Sequence, residues 1–163
     1  MHSARLIDVA VASEEQAAPA VSREMQELWF AIADRAWSSL LLVPSGTVEV
    51  LALAAGLCEV SYQTASPRPV ALLDASGASL EQAAALARQL ALRVARDERV
   101  LVVVDPVRDN PAALTLGSRC DKALLCVRLG QSDLPSSQET LERCGRDRFL
   151  GTVVLRPCKP SRR

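Results

Sequence analysis

Unbroken apolar runs recur along the chain and are separated by stretches in which apolar residues follow helical spacing. A short run without polar residues is typical of a strand that is buried on both faces of a sheet. The run at Leu40–Val43 is the clearest example. The pattern predicts five strands, at 38–44, 70–74, 100–104, 122–129 and 149–155.

Helical periodicity is strongest after Ser79. Gln82 stands three residues beyond Ser79, which is the spacing of a capping box. Helices are also predicted at 22–36, 48–60, 111–119 (capped by Asn110) and 136–144, the last with a second capping box at Ser136 and Glu139. The apolar stripe after Ser79 comprises Leu80, Ala83, Ala84, Ala87, Leu90, Ala91 and Val94.

Buried strands that alternate with helices predict a three-layer α/β fold, with a mostly parallel sheet of about five strands and helices on both faces. We assign residues 22–157 to this single domain and residues 158–163 to a basic tail. Residues 1–21 are predicted to form an N-terminal arm, with a short extended segment between Leu6 and Val11.

Composition excludes several classes of function. The 19 basic residues balance the 19 acidic ones, so we expect no nucleic-acid partner. No apolar run approaches the ~20 residues that span a bilayer, so we expect no direct membrane insertion. The odd count of five cysteines without C-x-x-C spacing, and a single histidine at His2, favour a cytoplasmic protein without a metal or other cofactor.

Ligands of such folds bind beyond the carboxyl ends of the strands. Ser45, Gly46 and Thr47 form a turn between the first predicted strand and the next helix, where free amides can bind phosphate. Asp74 and Asp105 end the next two strands. Structural alternatives exist: Ser45 or Thr47 as a helix N-cap, and the aspartates as solvated strand-end carboxylates or helix-cap partners.

The order of these elements resembles that of the deviant Walker ATPases of the ParA and MinD kind. It is most similar to the cytoplasmic domain of bacterial tyrosine kinases that regulate polysaccharide export. The segments that carry this resemblance are V-L-V-V-V-D-P at 100–106, D-N-P-A-A-L at 109–114, D-K-A-L-L-C-V-R at 121–128 and L-G-T-V-V-L at 150–155. The resemblance implies a P-loop NTPase-like fold, with Asp74 and Asp105 at the positions of the two Walker-type aspartates.

The chain departs from this family where phosphate would bind. A working P-loop reads G-x-x-x-x-G-K-[ST], with a lysine on the phosphates and a hydroxyl on magnesium. Here Gly46 stands in a shortened loop, Thr47 takes the lysine position and Val48 takes the hydroxyl position. Glu49 adds a carboxylate beside them. We therefore expect a degenerate nucleotide site and no catalytic residues.

A second departure concerns the first helix. The family assembles into rings through a glutamate and two arginines at three-residue intervals, and this chain has Arg23, Gln26 and Trp29 in that register. We predict that Trp29 is partly exposed and that these residues contribute to a partner or self-association contact. The alternative is that Trp29 belongs to the core.

Two classes of function remain open. The first is a non-catalytic binding or regulatory component of exopolysaccharide synthesis or export. Its expected partner is a membrane-embedded polysaccharide copolymerase, which would recruit the chain from the cytoplasm to the inner membrane. The second is an ATPase with an unorthodox phosphate loop, or a ParA-like accessory protein in positioning or secretion.

Overall fold

The computed structural model describes the backbone of residues 5–10 and the full residues 21–156. All strand pairs of its sheet are parallel, and the strand order is β1-β6-β5-β2-β4-β3. The strands are β1 (Arg5–Ala10), β2 (Ser39–Pro44), β3 (Val70–Asp74), β4 (Arg99–Val103), β5 (Lys122–Arg128) and β6 (Phe149–Arg156). The helices are α1 (Arg23–Ala33), α2 (Leu51–Gln63), α3 (Leu80–Ala95), α4 (Ala112–Gly117) and α5 (Leu134–Cys144), and a 3-10 turn (Arg146–Arg148) follows α5.

The three-layer α/β fold predicted from the sequence is confirmed. Successive residues of a strand point to opposite faces, and in β2 Leu40 and Leu42 face one core while Leu41 and Val43 face the other. The helices α1 and α2 cover the first face, and α3 and α4 cover the second. The sheet has six strands because Arg5–Ala10 pairs with β6 at one edge. The predicted tail at 158–163 lies outside the described residues.

Capping side chains mark the starts of α1, α3 and α5. The capping box predicted for α3 is confirmed: Ser79 Oγ accepts from the Gln82 amide at 3.1 Å, and Gln82 Oε1 accepts from the Ser79 amide at 2.9 Å. The box predicted at Ser136 and Glu139 is wrong. Asp133 caps α5 instead, because its carboxylate accepts a hydrogen bond of 2.7 Å from the Ser136 amide. This bond lowers the pKa of Asp133.

The amino end of the sheet is closed by a tryptophan and an arginine. Trp37 is buried, and its indole Nε1 donates to the carbonyl of Ile32 at 2.8 Å. The guanidinium of Arg99 lies 4.5 Å from the centroid of the Trp37 ring, a cation–π contact. Arg99 also donates to the carbonyls of Ala33 and Arg35 at 3.0 and 3.2 Å. Protein groups therefore cover the amino end of the sheet on the side of α1.

Trp29 is a core residue, so the prediction that it is partly exposed is wrong. Its side chain is 2% exposed, whereas the next residue, Phe30, is 56% exposed. The helix α1 packs against both α2 and β1, and its buried face is therefore wider than one row of side chains. Leu28 and Trp29, about 100° apart around the helix, both enter the core.

We predict that Trp29→Ala lowers the free energy of unfolding by about 3–5 kcal/mol, because it removes a fully buried aromatic side chain. The neighbouring Phe30→Ala is the matched control and should cost less than about 1 kcal/mol, since most of that ring is in water. Chemical denaturation of both variants gives the comparison. Equal losses for the two variants would contradict the burial of Trp29.

Candidate functional site

The turn after β2 lacks the form of a phosphate loop. The strand ends at Pro44, and α2 begins only at Leu51, with Val50 at the N-cap and no side chain bonded to the cap. The N-cap role considered for Ser45 or Thr47 is therefore wrong. Gly46 has a φ of +75°, a left-handed conformation that glycine adopts without steric cost. Thr47 is exposed, and the side chain of Val48 is buried.

The loop between β5 and α5 lies directly against this turn. Ser132 Oγ donates to the Ser45 carbonyl at 2.6 Å and accepts from the Arg128 amide at 2.9 Å. The hydroxyls of Ser45 and Ser137 lie 2.8 Å apart, within hydrogen-bonding distance. Ser45 itself is only 1% exposed. Its carbonyl and hydroxyl are therefore bonded inside the protein.

Gly46 is enclosed by the same loop. A Cβ atom at this position would lie 3.4 Å from the Gln131 carbonyl oxygen and 3.7 Å from the Ser132 Cα. The Val48 amide donates to the Gly46 carbonyl at 3.0 Å, so that amide has a partner within the turn. The carbonyl of Gln131 therefore presents the negative end of a peptide dipole beside Gly46.

The two strand-end aspartates brace a neighbouring loop. Asp105 Oδ2 accepts from the Gly77 amide at 2.7 Å and from Asn110 Nδ2 at 2.9 Å. Asp74 Oδ1 accepts from the Ser76 amide at 3.0 Å. The strands β3 and β4 are adjacent, so both carboxylates act on the β3–α3 loop. Both carboxylates accept hydrogen bonds at the β3–α3 loop and neither caps a helix, and within residues 21–156 no hydrogen bond joins either of them to the Ser45–Thr47 turn.

Asn110 extends this brace to α4. Its Nδ2 donates to the Ala78 carbonyl at 3.0 Å as well as to Asp105, and its Oδ1 accepts from the Ala112 amide at 3.0 Å. The Asn110 side-chain oxygen thus bonds the first amide of α4, but the N-cap is Pro111 and not Asn110 as predicted. The side-chain nitrogen holds the β4–α4 loop against the β3–α3 loop.

The carboxyl end of the sheet carries arginines but, within the described residues, no lysine: Arg128 ends β5 and Arg156 ends β6. The sequence contains two lysines: Lys122 begins β5 at the opposite, amino end, and Lys159 lies outside the described residues. Arg108 is engaged by Glu139, with N–O distances of 2.6 and 3.0 Å. This pairing raises the pKa of Arg108 and lowers that of Glu139. The guanidinium is thus already neutralised by a protein carboxylate.

Other site chemistry is also limited in the described part of the chain. Residues 21–156 contain no group of three or more histidine, cysteine or acidic residues placed to hold a metal ion. Burial raises the pKa of Cys58 to about 11 and that of Cys126 to about 12. These thiols stay protonated near neutral pH, and a thiol is a poor nucleophile in that form.

Sequence reasoning identified the stretch after Leu129 as a strand end but missed its role. Ser132 and Ser137 meet Ser45 across 87 and 92 positions of sequence, respectively, and no local spacing encodes such a pairing. The available signal in the sequence was the group of serines that follows the apolar strand β5, which includes Ser132 and Ser137.

Of the three residues predicted to form a contact surface on α1, Arg23 and Gln26 lie on the surface and Trp29 does not. Arg23 is exposed and pairs with Glu27 at 2.8 Å, and Gln26 donates to the Val21 carbonyl at 3.2 Å. Trp29 is not on this surface, and the exposed aromatic residue of α1 is Phe30. An interface role for Arg23 and Gln26 stays a prediction. No helix within the described residues is long and apolar enough to cross a membrane.

No protein-family profile matches the chain, and no curated protein matches it. Solved structures do share its fold. The crystal structure of the chimerical protein CapA2B2 superposes with a TM-score of 0.75 at 13% identity, over 97% of this chain and 96% of the chimera. The kinase domain of the Escherichia coli tyrosine kinase ETK superposes with a TM-score of 0.66 at 14% identity, over 88% and 77% of the two chains. The resemblance inferred from the sequence is confirmed at the level of the fold.

We predict that Ser132→Ala lowers the free energy of unfolding by about 1–2 kcal/mol, because the Ser45 carbonyl and the Arg128 amide each lose a hydrogen bond. Ser76→Ala is the control, since the exposed Ser76 contributes only its backbone amide to the β3–α3 loop. Urea melts should place the Ser132 variant at the lower midpoint. Coincident midpoints would mean that the two loops are not held together by this hydroxyl.

Proposed function

We propose that this chain is a non-catalytic P-loop-like domain that acts by binding, as a regulatory component of exopolysaccharide synthesis or export. The observation that carries the proposal is the closed turn after β2. Ser45 is hydrogen-bonded to Ser132 and Ser137, and the Gln131 carbonyl borders Gly46. The amides of Ser45 and Val48 are bonded to protein carbonyls, and Thr47 and Val48 replace the lysine and the hydroxyl residue of a P-loop.

The energetic argument against nucleotide binding has two parts. Thr47 provides no charge where the P-loop lysine would stand, and one lost charge-assisted contact costs about 1.5–3 kcal/mol, or roughly ten- to a hundredfold in affinity. Opening the turn would also break the bonds of Ser132. The exposed carboxylate of Glu49 adds repulsion toward a triphosphate.

The residues that would hold a magnesium ion beside the nucleotide are also replaced or engaged in other contacts. A magnesium ion in a P-loop protein depends on a hydroxyl after the lysine and on the phosphates themselves. Val48 holds the hydroxyl position, and the Asp105 carboxylate accepts hydrogen bonds from Gly77 and Asn110. We therefore infer that Asp105 is retained for the loop that it braces, and that the chain needs no cofactor.

The assignment to polysaccharide export rests on the kinase-like sequence segments and on the shared fold. One of the two structures with this fold is a tyrosine kinase domain. The other is a chimera whose name joins CapA and CapB, which supports a protein as the partner of such a domain. The partner that we propose is a membrane-embedded polysaccharide copolymerase, which recruits the chain from the cytoplasm to the inner membrane.

Genetic complementation tests the proposal. Deleting the gene should lower secreted polysaccharide, measured by a carbohydrate assay on culture supernatants. The wild-type chain and a Thr47→Ala/Asp74→Asn double variant should restore it to the same extent, because neither residue has a catalytic task. Immunoblots control for protein level. Failure of the double variant at normal protein level would indicate that the nucleotide-site positions are used, and an unchanged deletion strain would refute the pathway.

A further inference from the structure

The apolar stripe of α3 is wider than the core that it covers. Ala83 and Leu90 are 0% and 2% exposed and pack on the sheet. Leu80, in the same stripe, is 64% exposed. At 100° per residue, Leu80 lies within about 40° of Ala84 and Ala91 around the helix, and these two are exposed as well. One side of the stripe therefore faces solvent.

A groove runs along this uncovered side, between α3 and the end of α4. Its volume is about 500 Å³. From Ala84 to Val94 it follows about 15 Å of helix, or nearly three turns. Its long axis suits an extended or helical segment. The lining residues are Ser39, Ala84, Ala87, Arg88, Leu90, Ala91, Val94, Thr115, Arg119 and Asp121.

Two guanidinium groups flank the groove. Arg88 stands on α3 and Arg119 follows α4, and both are exposed. Within the described residues, neither side chain makes a hydrogen bond or ion pair, whereas Arg93 on the same helix pairs with Glu98 at 3.1 Å. The groove therefore presents an apolar floor between two unpaired cations.

The one carboxylate in the lining is already engaged. Asp121 Oδ2 accepts from the Ser38 amide at 2.7 Å and from the Ser39 amide at 3.4 Å. These bonds fix the carboxylate against the start of β2, and it forms no ion pair with Arg119 within the described residues. The excess charge of the groove is positive, and its complement is an acidic partner.

We propose that this groove docks an amphipathic helix of a protein partner, whose small apolar residues pack on the alanines and whose carboxylates pair with Arg88 and Arg119. Alanine side chains allow two helices to approach at the 8–10 Å axial distance of packed helices. The inference rests on the proposed binding role and names the surface and the kind of segment that it recognises.

Synthetic peptides test the groove with the full chain. The probe is a fluorescein-labelled helical peptide of three to four turns with an alanine and leucine stripe flanked by glutamates. One control peptide replaces each glutamate by glutamine, and a second scrambles the sequence so that the stripe is lost. Fluorescence anisotropy should show saturable binding of the probe that weakens with salt, and clearly weaker binding of both controls.

Variants of the chain locate the contact. Arg88→Gln/Arg119→Gln should weaken probe binding roughly three- to tenfold, as expected for two surface ion pairs. Ala91→Trp should weaken it by filling the groove. The charge-matched control is Arg35→Gln/Arg96→Gln, which leaves the groove intact and should bind as the wild type does. Circular dichroism verifies that each variant is folded.

Three results would overturn the proposal: no saturable binding of the probe, equal binding of the scrambled peptide, or equal weakening by the control pair. These results are separable from the failure of the proposed function. If the deletion strain loses polysaccharide but the probe does not bind, the groove assignment alone is wrong. If the probe binds as predicted and the deletion has no effect on polysaccharide, the groove assignment is supported and the role in polysaccharide export is wrong.

Discussion

The hydrogen bond from the Ser132 hydroxyl to the Ser45 carbonyl decides what the carboxyl end of the sheet presents to ligands. It joins the turn after β2 to the loop after β5. The strands β2 and β5 are neighbours in the sheet. Because the same hydroxyl accepts from the Arg128 amide, the loop cannot leave the turn without breaking both bonds. A buried polar group that loses its partner costs about 1–3 kcal/mol, so the closed arrangement is favoured in the absence of a strongly bound ligand.

The cores that hold the fold together lie almost entirely apart from the candidate nucleotide-site positions. Leucine, valine and alanine make up most of the two cores, and of the candidate nucleotide-site positions only Val48 lies in them. The carboxylate of Asp105 accepts hydrogen bonds from Gly77 and Asn110. These bonds order the β3–α3 loop. These contacts give Asp105 a structural role, and a shared fold alone does not establish a shared activity.

The sequence predicted what depends on local pattern. Strands β2 to β6 were located because they are apolar on both faces, and the start of α3 because Ser79 and Gln82 bond within one turn. Trp29 was misplaced, because the width of a buried helix face depends on how many elements pack on it. The cap of α5 was misplaced because Asp133 starts the helix three residues earlier, by accepting a hydrogen bond from the Ser136 amide. The closure by Ser132 could not be predicted, since its partners are far apart in sequence.

The unpaired arginines beside α3 and the closed turn after β2 favour a common interpretation, in which recognition has moved from a nucleotide to a protein surface. The central claim is that the turn no longer binds nucleotide. Calorimetric titration of the chain with Mg-ATP tests it most directly. The account predicts no saturable heat beyond dilution, and a dissociation constant in the low micromolar range would contradict it.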